Sequence, residues 1–413
     1  MTDTMKEFFN VINLDQVFEF IKEFMPVGVE KVPLFKSLGR ILAEDIVSDV
    51  DLPDFRRSTM DGFAVQGAST FGASDGNPAY LTIKGAVAMG NSPDYIIGPG
   101  EAAKISTGGM LPQGADCVIM IEHTGKIDET TIEAYRSVAP GQHIIEVGED
   151  YSKGKTVLAG GIKIRPQETG LLAAFGKQTV AVYELPVIGI ISTGDEIVAT
   201  DKIPGPGQIR DINTFTLSSL VQQIGARCIT FGIVEDNFEM LAKTCVQALS
   251  QCDMVLVSGG SSVGARDLTI EVLTSLKDTD IFFHGISISP GKPTILAKAQ
   301  NKAFWGLPGH VVSAMVVFLR IIKPFVEHIA GRASKFKKEL RLAALLSRNI
   351  SSAQGRVDYV RVRLQKKEGL LWAEPILGKS GLINTMVQAD GLIEIGMNTE
   401  GLDKGAQVEV ILL

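Results

Sequence analysis

The chain has 413 residues, of which 45% are hydrophobic and 21% charged, and its 47 acidic and 40 basic side chains give a net charge of -7. This apolar content excludes a largely disordered protein, and the acidic balance argues against a nucleic-acid partner, because nucleic-acid-binding domains are usually basic. No apolar run reaches the roughly 18 residues of a membrane span, and the first ten residues contain no signal-peptide core. We therefore expect a cytoplasmic protein of about two to four domains that contacts neither nucleic acid nor membrane.

The residue pattern in the first half of the chain changes twice. Apolar residues recur with helical spacing from Leu14 to Met25 and stop at Pro26, and a second helix is predicted over 34–42. From 52 to 145, short β-rich runs alternate with Gly, Pro, Asn and Asp, a pattern typical of a small all-β domain. We therefore predict a discontinuous helical and extended linker domain over 1–50 and 146–184, interrupted by a β-rich insert domain over 51–145.

Strands and helices alternate in the second half. The predicted strands are 187–191, 227–234, 254–257, 281–288 and 303–305, and the predicted helices are 214–224, 238–249 and 268–276, with an apolar segment at 311–329. This alternation predicts a parallel sheet with helices on both faces. The expected fold class is a multidomain α/β protein with a three-layer αβα domain over 185–331 and a C-terminal β-barrel-like domain over 332–413.

Glycine-rich or acidic segments follow the predicted strands. Ligands of such sheets bind beyond the carboxyl ends of the strands, so these segments form the candidate site. The segments are 192–196, 235–237, 258–264 with Asp267, 289–293 and 306–310. Glycine loops that open helices offer N–H groups to phosphate, and Asp195, Glu196, Asp236 and Asp267 offer oxygen ligands to Mg²⁺. With Lys292 as a further positive charge, the set predicts phosphoanhydride chemistry.

Each feature also has a purely structural interpretation. A Ser-Gly-Gly sequence is often a plain turn, Thr193, Asp195 or Asp236 could cap a following helix, and Asp267 could be a first-turn helix charge. Only their convergence on one edge of the sheet favours a ligand site. The five histidines show no metal-ligand spacing, and the four cysteines form no CxxC pair, so we expect the cysteines to be small buried hydrophobes.

The β-rich insert contains a separate candidate, Asp61. Because it lies near the apolar residues Met60 and Phe63, we expect its side chain to be buried, which is costly unless it is hydrogen-bonded or functional. The structural alternative is an Asp-Gly turn. A second polar loop spans 106–109, and a Gly-Glu-Asp turn at 148–150 lies where the chain returns to the first domain.

These motifs resemble, in order and over almost the whole chain, those of the molybdopterin molybdenumtransferase family, of the bacterial MoeA type and the gephyrin E-domain type. The matching segments are 61–65, 107–108, 148–150, 192–196, 207–213, 258–264 with Asp267, 290–293, 306–309, 355–356 with Arg361, and 378–381. Each motif is common by itself, whereas ten motifs in register are specific to the family.

The resemblance implies an activity and its partners. The implied reaction takes adenylylated molybdopterin and molybdate, hydrolyses the adenylate, releases AMP and yields the molybdenum cofactor, with Mg²⁺ or another divalent cation as cofactor. It also implies a homodimer in which the β insert of one subunit completes the cleft of the other. A molybdopterin adenylyltransferase, whose fold the α/β domain resembles, is a further implied partner.

The resemblance also implies roles for individual residues. The catalytic positions would be Asp61, Thr107, Asp150, Glu196, Asp236 and Asp267, of which Glu196, Asp236 and Asp267 would hold the metal. The substrate would contact Thr193, Gly194, Ser258, Gly259, Gly260, Ser262, Gly264, Lys292, Pro308, Ser313, Arg361 and Ser380. Within that set, Lys292, Ser313, Arg361 and Ser380 would bind molybdate.

Two motifs depart from the family pattern. Ser289 stands where the first lysine of a KPGKP motif is expected, and His310 and Val311 replace the Asn and Pro of GLPGNPVS. Both changes bear on oxyanion affinity, and the choice between molybdate and tungstate stays open. Two alternative functions remain: a non-catalytic scaffold that binds pterin or oxyanion, and a molybdopterin adenylyltransferase. The complete carboxylate set argues against the first, and the β insert and the tail argue against the second.

Overall fold

The computed structural model describes residues 11–259, 263–334 and 339–413, and its description of 263–267 is confined to the backbone. The chain forms two compact units. The larger unit comprises the residues up to Glu44 together with Gly160–Gly170 and Gln178–Leu413, and the smaller unit comprises Asp45–Ala159 and Leu171–Lys177. The division into four domains stays a prediction.

The larger unit contains a six-stranded α/β sheet. Its strands are β1 (Val187–Thr193), β2 (Arg227–Val234), β3 (Met254–Ser258), β4 (Thr279–His284), β5 (Ile295–Ala299) and β6 (Lys302–Leu307), in the spatial order β2-β1-β3-β6-β5-β4. The pairings β2–β1, β1–β3 and β3–β6 are parallel, whereas β5 is antiparallel to both of its neighbours. The predicted parallel sheet is therefore correct except for β5, a strand that the sequence analysis missed.

The strand predicted over 281–288 is wrong in its second half. β4 ends at His284, and a separate short strand, Ile288–Ser289, belongs to another sheet. The backbone turns between the two, because the N–H of Ile286 donates to the carbonyl of Lys292 at 2.9 Å. Hydrophobicity did not reveal this turn, because apolar residues occur on both sides of Gly285.

Helices cover both faces of the sheet, as the fold prediction required. They are α1 (Asn213–Gln223), α2 (Phe238–Gln251), α3 (Val263–Ser275), α4 (Val311–Val317) and α5 (Lys323–Ile329), with a π-helical turn, Phe318–Ile322, between α4 and α5. Successive strand residues face opposite sides, so Trp305 packs in the cluster with α1, α4 and α5, and Phe304 packs in the cluster with α2 and α3. Each such buried side chain contributes about 1.5–3 kcal/mol.

The N-terminal segment packs on the Trp305 face of this sheet. A helix, Leu14–Glu19, continues as a 3-10 turn, Phe20–Glu23, which confirms the first predicted helix. Asn13 and Gln16 form a capping box at its start, and Val17 and Phe24 are buried in the sheet cluster.

The second predicted helix, over 34–42, is wrong. Only a 3-10 turn, Leu34–Lys36, forms. The N–H of Gly39 donates to the carbonyl of Ile164 at 2.8 Å, and that of Leu42 donates to the carbonyl of Ile162 at 3.0 Å. These bonds across the chain replace the helical ones. The preceding strand, Val29–Pro33, pairs antiparallel with Thr179–Tyr183.

The C-terminal residues form a closed β-barrel, as predicted. Its strands, in spatial order, are Val357–Lys367, Leu370–Pro375, Arg341–Leu346, Gln407–Leu412 and Gly391–Ile395, and the last pairs with the first to close the barrel. The short strand Ile288–Ser289 adds to this barrel, parallel to Val357 and Asp358. A shorter pair, Ile350–Ser351 and Gly401–Leu402, and a helix, Asn384–Val387, complete this part.

Arg320, in the π-helical turn, links the α/β part to the barrel. Its side chain is 13% exposed and forms ion pairs with Glu339 and, at 3.7 Å, with Glu394. The guanidinium also lies 5.6 Å from the ring centre of Tyr359. A largely buried cation is thereby neutralised by two carboxylates, as a low-dielectric environment requires.

The smaller unit contains a six-stranded sheet of its own, in agreement with the β-rich insert predicted from the sequence. Its strands, in spatial order, are Cys117–Met120, Gly62–Val65, Glu101–Ile105, Ala79–Ala86, Thr131–Ala134 and Thr124–Lys126. Two short pairs accompany it: Ile46–Val47 with Thr156–Leu158, and Arg57–Ser58 with Ile144–Ile145. The helix Pro166–Ala174 begins in the larger unit and ends in this one.

The cysteines and the helices bear on two further expectations. Cys117, Cys245 and Cys252 are buried, as predicted, and Cys228 is partly exposed. Over the part of the chain that the structure describes, no helix combines the length and the apolar character needed to cross a membrane.

Candidate functional site

A cavity of about 730 Å³ lies within the larger unit, between the carboxyl-end loops of the α/β sheet and the barrel. It brings together five residues that the sequence analysis assigned to substrate and both departures from the family pattern. These lining residues are Ser289, Lys292, Pro308, His310, Ser313, Arg361 and Ser380. Strand ends and barrel loops distant in sequence therefore build one site.

Arg361 is the buried cation of this cavity. Its side chain, on strand Val357–Lys367, belongs to a residue only 7% exposed, and its Nη2 donates to the carbonyls of Gly378 (2.9 Å) and Ile376 (3.4 Å). Its Nε is buried without an acceptor, and no described carboxylate pairs with the guanidinium. Burial lowers the pKa of Arg361, although arginine stays protonated in proteins. A desolvated, uncompensated cation in a cavity favours an anionic ligand.

Ser380 is held against the start of α4. Its hydroxyl is hydrogen-bonded to Nδ1 of His310 at 2.8 Å, and its carbonyl accepts from the N–H of Val312 at 3.0 Å. Ser313, in the first turn of the same helix, is buried and lines the cavity. His310, which departs from the family pattern, is therefore a direct hydrogen-bond partner of Ser380, a residue predicted to bind the oxyanion.

The loop that carries Lys292 is shaped by the residue before it. Gly291 has a φ of 122°, and a Cβ atom at that position would come within 2.5 Å of Cγ2 of Val317. The loop can therefore pack this closely against α4 only with glycine there. The carbonyl of Lys292 accepts from the N–H groups of Ile286 and Thr294, both at 2.9 Å, which fixes the lysine backbone at the cavity wall.

The acidic residues meet at the ends of β1 and β2. The hydroxyl of Thr193 donates to Oδ1 of Asp236 at 2.7 Å, and the N–H of Asp236 donates to Oδ1 of Asp195 at 3.0 Å. The carboxylate of Glu196 lies directly over Gly194. Thr193, Gly194, Glu196 and Asp236 therefore come together as the sequence predicted.

The helix-cap interpretations of these residues are wrong. The side chain that caps α2 is Asn237, which accepts from the N–H of Met240 at 3.1 Å, and Asp236 is left for other contacts. No helix follows Asp195, because the chain continues into a short strand, Ile197–Val198. The polar groups at these strand ends are therefore not explained by helix capping.

Glu196 and Asp236 are the two predicted metal ligands whose side chains the structure describes. The side chain of Asp267 lies outside the described residues, as do Gly260 and Ser262, and Gly264 is described only as backbone in α3. Across residues 11–259, 263–334 and 339–413, no three His, Cys, Asp or Glu side chains with a described position cluster as metal ligands. Glu196 and Asp236 supply oxygen donors of the kind that Mg²⁺ prefers, but two of the three predicted ligands do not make a complete site.

Asn213 is a buried residue at this edge to which the sequence analysis gave no role. It begins α1, is 7% exposed, and donates from Nδ2 to Oγ of Ser258 (2.6 Å) and to the carbonyl of Gly309 (2.8 Å). Beside Ser258, Gly259 lies so close to β1 that a Cβ atom there would stand 2.9 Å from Cγ2 of Thr193. The sequence contained one indication that Asn213 has a role, because Asn213 is the last residue of the family motif at 207–213.

The candidates of the insert lie in the smaller unit. Oδ1 of Asp61 accepts from both the N–H and the hydroxyl of Thr107, so these two residues are direct hydrogen-bond partners. The expectation that Asp61 is buried is wrong: the residue is exposed, because it precedes strand Gly62–Val65 rather than lying within the sheet. Asp150 is also exposed, and its N–H donates to the carbonyl of Leu52 at 3.1 Å.

Known protein families match nearly the whole chain. The models are "MoeA N-terminal region (domain I and II)" over residues 12–176, "Probable molybdopterin binding domain" over 189–328 and "MoeA C-terminal region (domain IV)" over 343–413. The three matches follow one another in the order of the motifs, so the family resemblance drawn from those motifs is confirmed.

Individual relatives agree with the family models. The chain is 36% identical over 354 residues to a molybdopterin molybdenumtransferase of Haemophilus influenzae, covering 85% of each chain. It is 31% identical to one of Bacillus subtilis, covering 97% of this chain and 94% of the relative. A crystal structure of the molybdopterin biosynthesis MoeA protein of Pyrococcus horikoshii OT3 superposes with a TM-score of 0.84 at 30% identity, covering 98% of this chain and all of that one. The chain therefore belongs to the MoeA family of molybdopterin molybdenumtransferases.

Proposed function

We propose that the protein inserts molybdenum from molybdate into adenylylated molybdopterin, with hydrolysis of the adenylate and release of AMP. The observation that carries the proposal is the cavity in which Arg361 lies with Lys292, Ser313 and Ser380. Arg361 is buried and pairs with no carboxylate among the residues that the structure describes. Arginine, lysine and two hydroxyl groups are the donors that suit a tetrahedral oxyanion. The family relationship supports molybdate as that oxyanion.

The other end of the proposed site would hold the adenylate. Ser258 and Gly259 follow β3, and Thr193 and Asp236 follow the neighbouring strands, at the edge where such sheets bind phosphate ligands. Ser258 offers a hydroxyl group and Gly259 a backbone N–H to phosphate oxygens. Water would attack the adenylate phosphorus and break its bond to the bridging oxygen. AMP would then carry the oxygen of the water, and the molybdopterin phosphate would be the leaving group.

A divalent cation is part of this proposal. Asp236 and Glu196, with Asp267 as the third predicted ligand, would hold Mg²⁺ beside the phosphate group. Thr193 already orients one oxygen of Asp236 through a 2.7 Å hydrogen bond, so the other carboxylate oxygen remains for the metal. When bound, the cation would neutralise negative charge that develops on the phosphate oxygens.

We also propose that the working form is a homodimer. Asp61 and Thr107 would complete the cleft of the partner subunit, as the family resemblance implies, and Asp150 would lie near that junction. A molybdopterin adenylyltransferase would supply the adenylylated substrate. The cytoplasmic location stays a prediction.

The test is release of AMP from adenylylated molybdopterin by the purified protein, with and without molybdate. Release that depends on molybdate supports the proposal. Binding without release would instead indicate a scaffold, and formation of the adenylate from ATP would indicate an adenylyltransferase.

A matched pair of variants connects the activity to the cavity. Arg361→Gln should abolish the dependence on molybdate. Arg363→Gln removes a charge two residues along the same strand, where the exposed Arg363 donates to Oε1 of Gln388 at 3.1 Å, and should leave the activity intact. Equal effects of the two changes would refute the cavity as the oxyanion site.

A further inference from the structure

The two hydrogen bonds of Asn213 join two loops that the proposed function uses for different parts of the substrate. Nδ2 donates at 2.6 Å to Oγ of Ser258, at the end of β3, and at 2.8 Å to the carbonyl of Gly309, beside the cavity residues Pro308 and His310. The first loop belongs to the proposed phosphate end and the second to the proposed oxyanion end. One buried side-chain amide therefore spans both ends.

The orientation of this amide is fixed by its partners. The carbonyl of Gly309 can only accept, so the amide atom facing it must be the nitrogen. That nitrogen also donates to Oγ of Ser258, so the hydroxyl of Ser258 accepts from Asn213 and directs its own hydrogen elsewhere. The amide of Asn213 thus leaves the hydroxyl hydrogen of Ser258 to point away from Asn213. A hydroxyl that is to bind a phosphate oxygen needs this hydrogen for donation.

The arrangement is not one that stability alone would select. Oδ1 of Asn213 is buried and meets no donor in the described part of the chain, and a buried acceptor without a donor costs stability. The helix that Asn213 begins gains no cap from this side chain, because the N–H of Thr214 bonds instead to Oδ1 of Asp211 at 3.0 Å. The contacts of Asn213 therefore serve the two loops rather than its own helix.

We propose that Asn213 is a positioning residue that couples the two ends of the site, so that bound molybdate promotes reaction of the adenylate. This inference rests on the proposed function. Misplacement of reacting groups by about 1 Å can cost roughly 100-fold in rate. The expected signature is therefore a loss of molybdate-stimulated turnover without a matching loss of binding.

The experiment compares Asn213→Ala and Asn213→Asp with the unaltered protein. Three quantities are measured: binding of AMP alone, binding of molybdate alone, and the ratio of AMP release with molybdate to release without it. We expect each binding constant to change less than about fivefold and the ratio to fall at least about 50-fold. Asn213→Asp should be worse than Asn213→Ala, because it keeps the shape but sets a carboxylate oxygen against the carbonyl of Gly309. A residue that merely fills space would give the opposite order.

Asn13→Ala is the matched control, since it removes an asparagine that caps a different helix and touches neither loop. It should lower stability and leave the ratio unchanged. If Asn213→Ala does not fold, Asn213→Ser, which keeps a hydroxyl too short to reach both acceptors, takes its place. A ratio preserved in the Asn213 variants would overturn this inference alone. The absence of molybdate-dependent release from the unaltered protein would instead overturn the proposed function.

Discussion

Thr107 donates two hydrogen bonds to a single carboxylate oxygen of Asp61, one from its backbone N–H at 2.7 Å and one from its hydroxyl at 3.1 Å. Oδ2 of Asp61 is not used by this pair. An exposed carboxylate held by two donors from one loop keeps a defined direction without being buried, which is the arrangement expected of a group that contacts a ligand.

The first prediction concerns this carboxylate. Asp61→Asn should reduce AMP release at least about 100-fold, because it removes a charge at a reacting site while keeping the shape. Its melting temperature should not change, since the side chain is exposed. Thr107→Ser keeps both donors and should retain most activity. Near-normal turnover by Asp61→Asn would remove Asp61 from the site.

The second prediction concerns the proposed dimer. Mixing inactive Asp61→Asn chains with inactive Asp236→Asn chains should restore activity, because a mixed dimer has one cleft with both changes and one with neither. For a two-fold interface the ceiling is about a quarter of the normal rate. The measurement is AMP release after subunit exchange has been verified with two differently tagged chains. No recovery would place both residues in a cleft formed by one chain.

The third prediction concerns Ser289, which lines the cavity beside the loop of Lys292. Two charges 4 Å apart interact by about 4 kcal/mol at an effective dielectric of 20, and desolvation offsets much of this. Ser289→Lys should therefore strengthen oxyanion binding by about 1–2 kcal/mol, or roughly five- to thirtyfold. Lys292→Ala should weaken it.

Titration of molybdate against AMP release measures both effects, with Ser289→Gln as an uncharged control of similar length. If Ser289→Lys leaves the half-saturating molybdate concentration unchanged, the anion does not lie beside this loop. The contacts of Arg361, His310 and Ser380 would then define its position.

The fourth prediction concerns Arg320. Arg320→Met should lower the free energy of unfolding by about 3 kcal/mol, because Glu339 and Glu394 would lose their largely buried partner. Arg341→Gln, which changes a more exposed member of the same cluster, should cost less than about 1 kcal/mol. Denaturant unfolding measures both, and equal losses would contradict the assignment.

The same cluster predicts a pH dependence. Burial by itself raises the pKa of Glu339, but hydrogen bonds from Arg320 and Arg341 outweigh burial and hold this pKa below its ordinary value of 4.5. The stabilisation is therefore complete above about pH 4.5 and is lost as the pH falls through the lowered pKa. Below pH 4.5 the unfolding free energies of the unaltered protein and Arg320→Met should converge, and a constant difference would contradict this.

The fifth prediction concerns the thiols. Burial raises the pKa of Cys117 and of Cys245 to about 12 and that of Cys252 to about 11. Because the thiolate is the reactive form, these three should resist alkylation of the native protein at pH 7.5, whereas the partly exposed Cys228 should react first. Mass spectrometry of iodoacetamide-treated protein tests the order, and earlier modification of Cys245 would contradict it.

Residues next to one another in sequence accounted for most of what could be predicted. The helices of the α/β part follow from apolar periodicity. The meeting of polar side chains after β1 and β2 follows from the rule that ligands bind beyond the ends of strands. The helix prediction for 34–42 was wrong because the hydrogen-bond partners of this segment, at 162 and 164, lie far along the chain. Local helix propensity contains no information about such partners. Strand β5 was not predicted for a similar reason, because it is formed by pairing with β4 and β6 and not by the propensity of its own five residues.

The candidate site divides in the same way. Motif order indicated Arg361, Lys292 and Ser380, but only the structure shows that they line one cavity. Only the structure shows, too, that no carboxylate in the described part of the chain pairs with Arg361. The exposure of Asp61 could not be predicted from its apolar neighbours. Asp61 is the residue just before strand Gly62–Val65, and such a residue can face solvent although the strand itself is buried. The role of Asn213 was not predicted, because it depends on hydrogen bonds to Ser258 and Gly309, which lie far from Asn213 in sequence.

The short strand Ile288–Ser289 limits how this protein can be recombined with its relatives. It leaves the α/β sheet, pairs in parallel register with Val357 and Asp358, and continues directly into the loop of Lys292. A chimaera that exchanges only the barrel would place a foreign strand against Ile288 and displace the lysine loop with it. The exchangeable module is therefore the barrel together with the 286–293 segment, although residues 294–340 separate that segment from the first barrel strand.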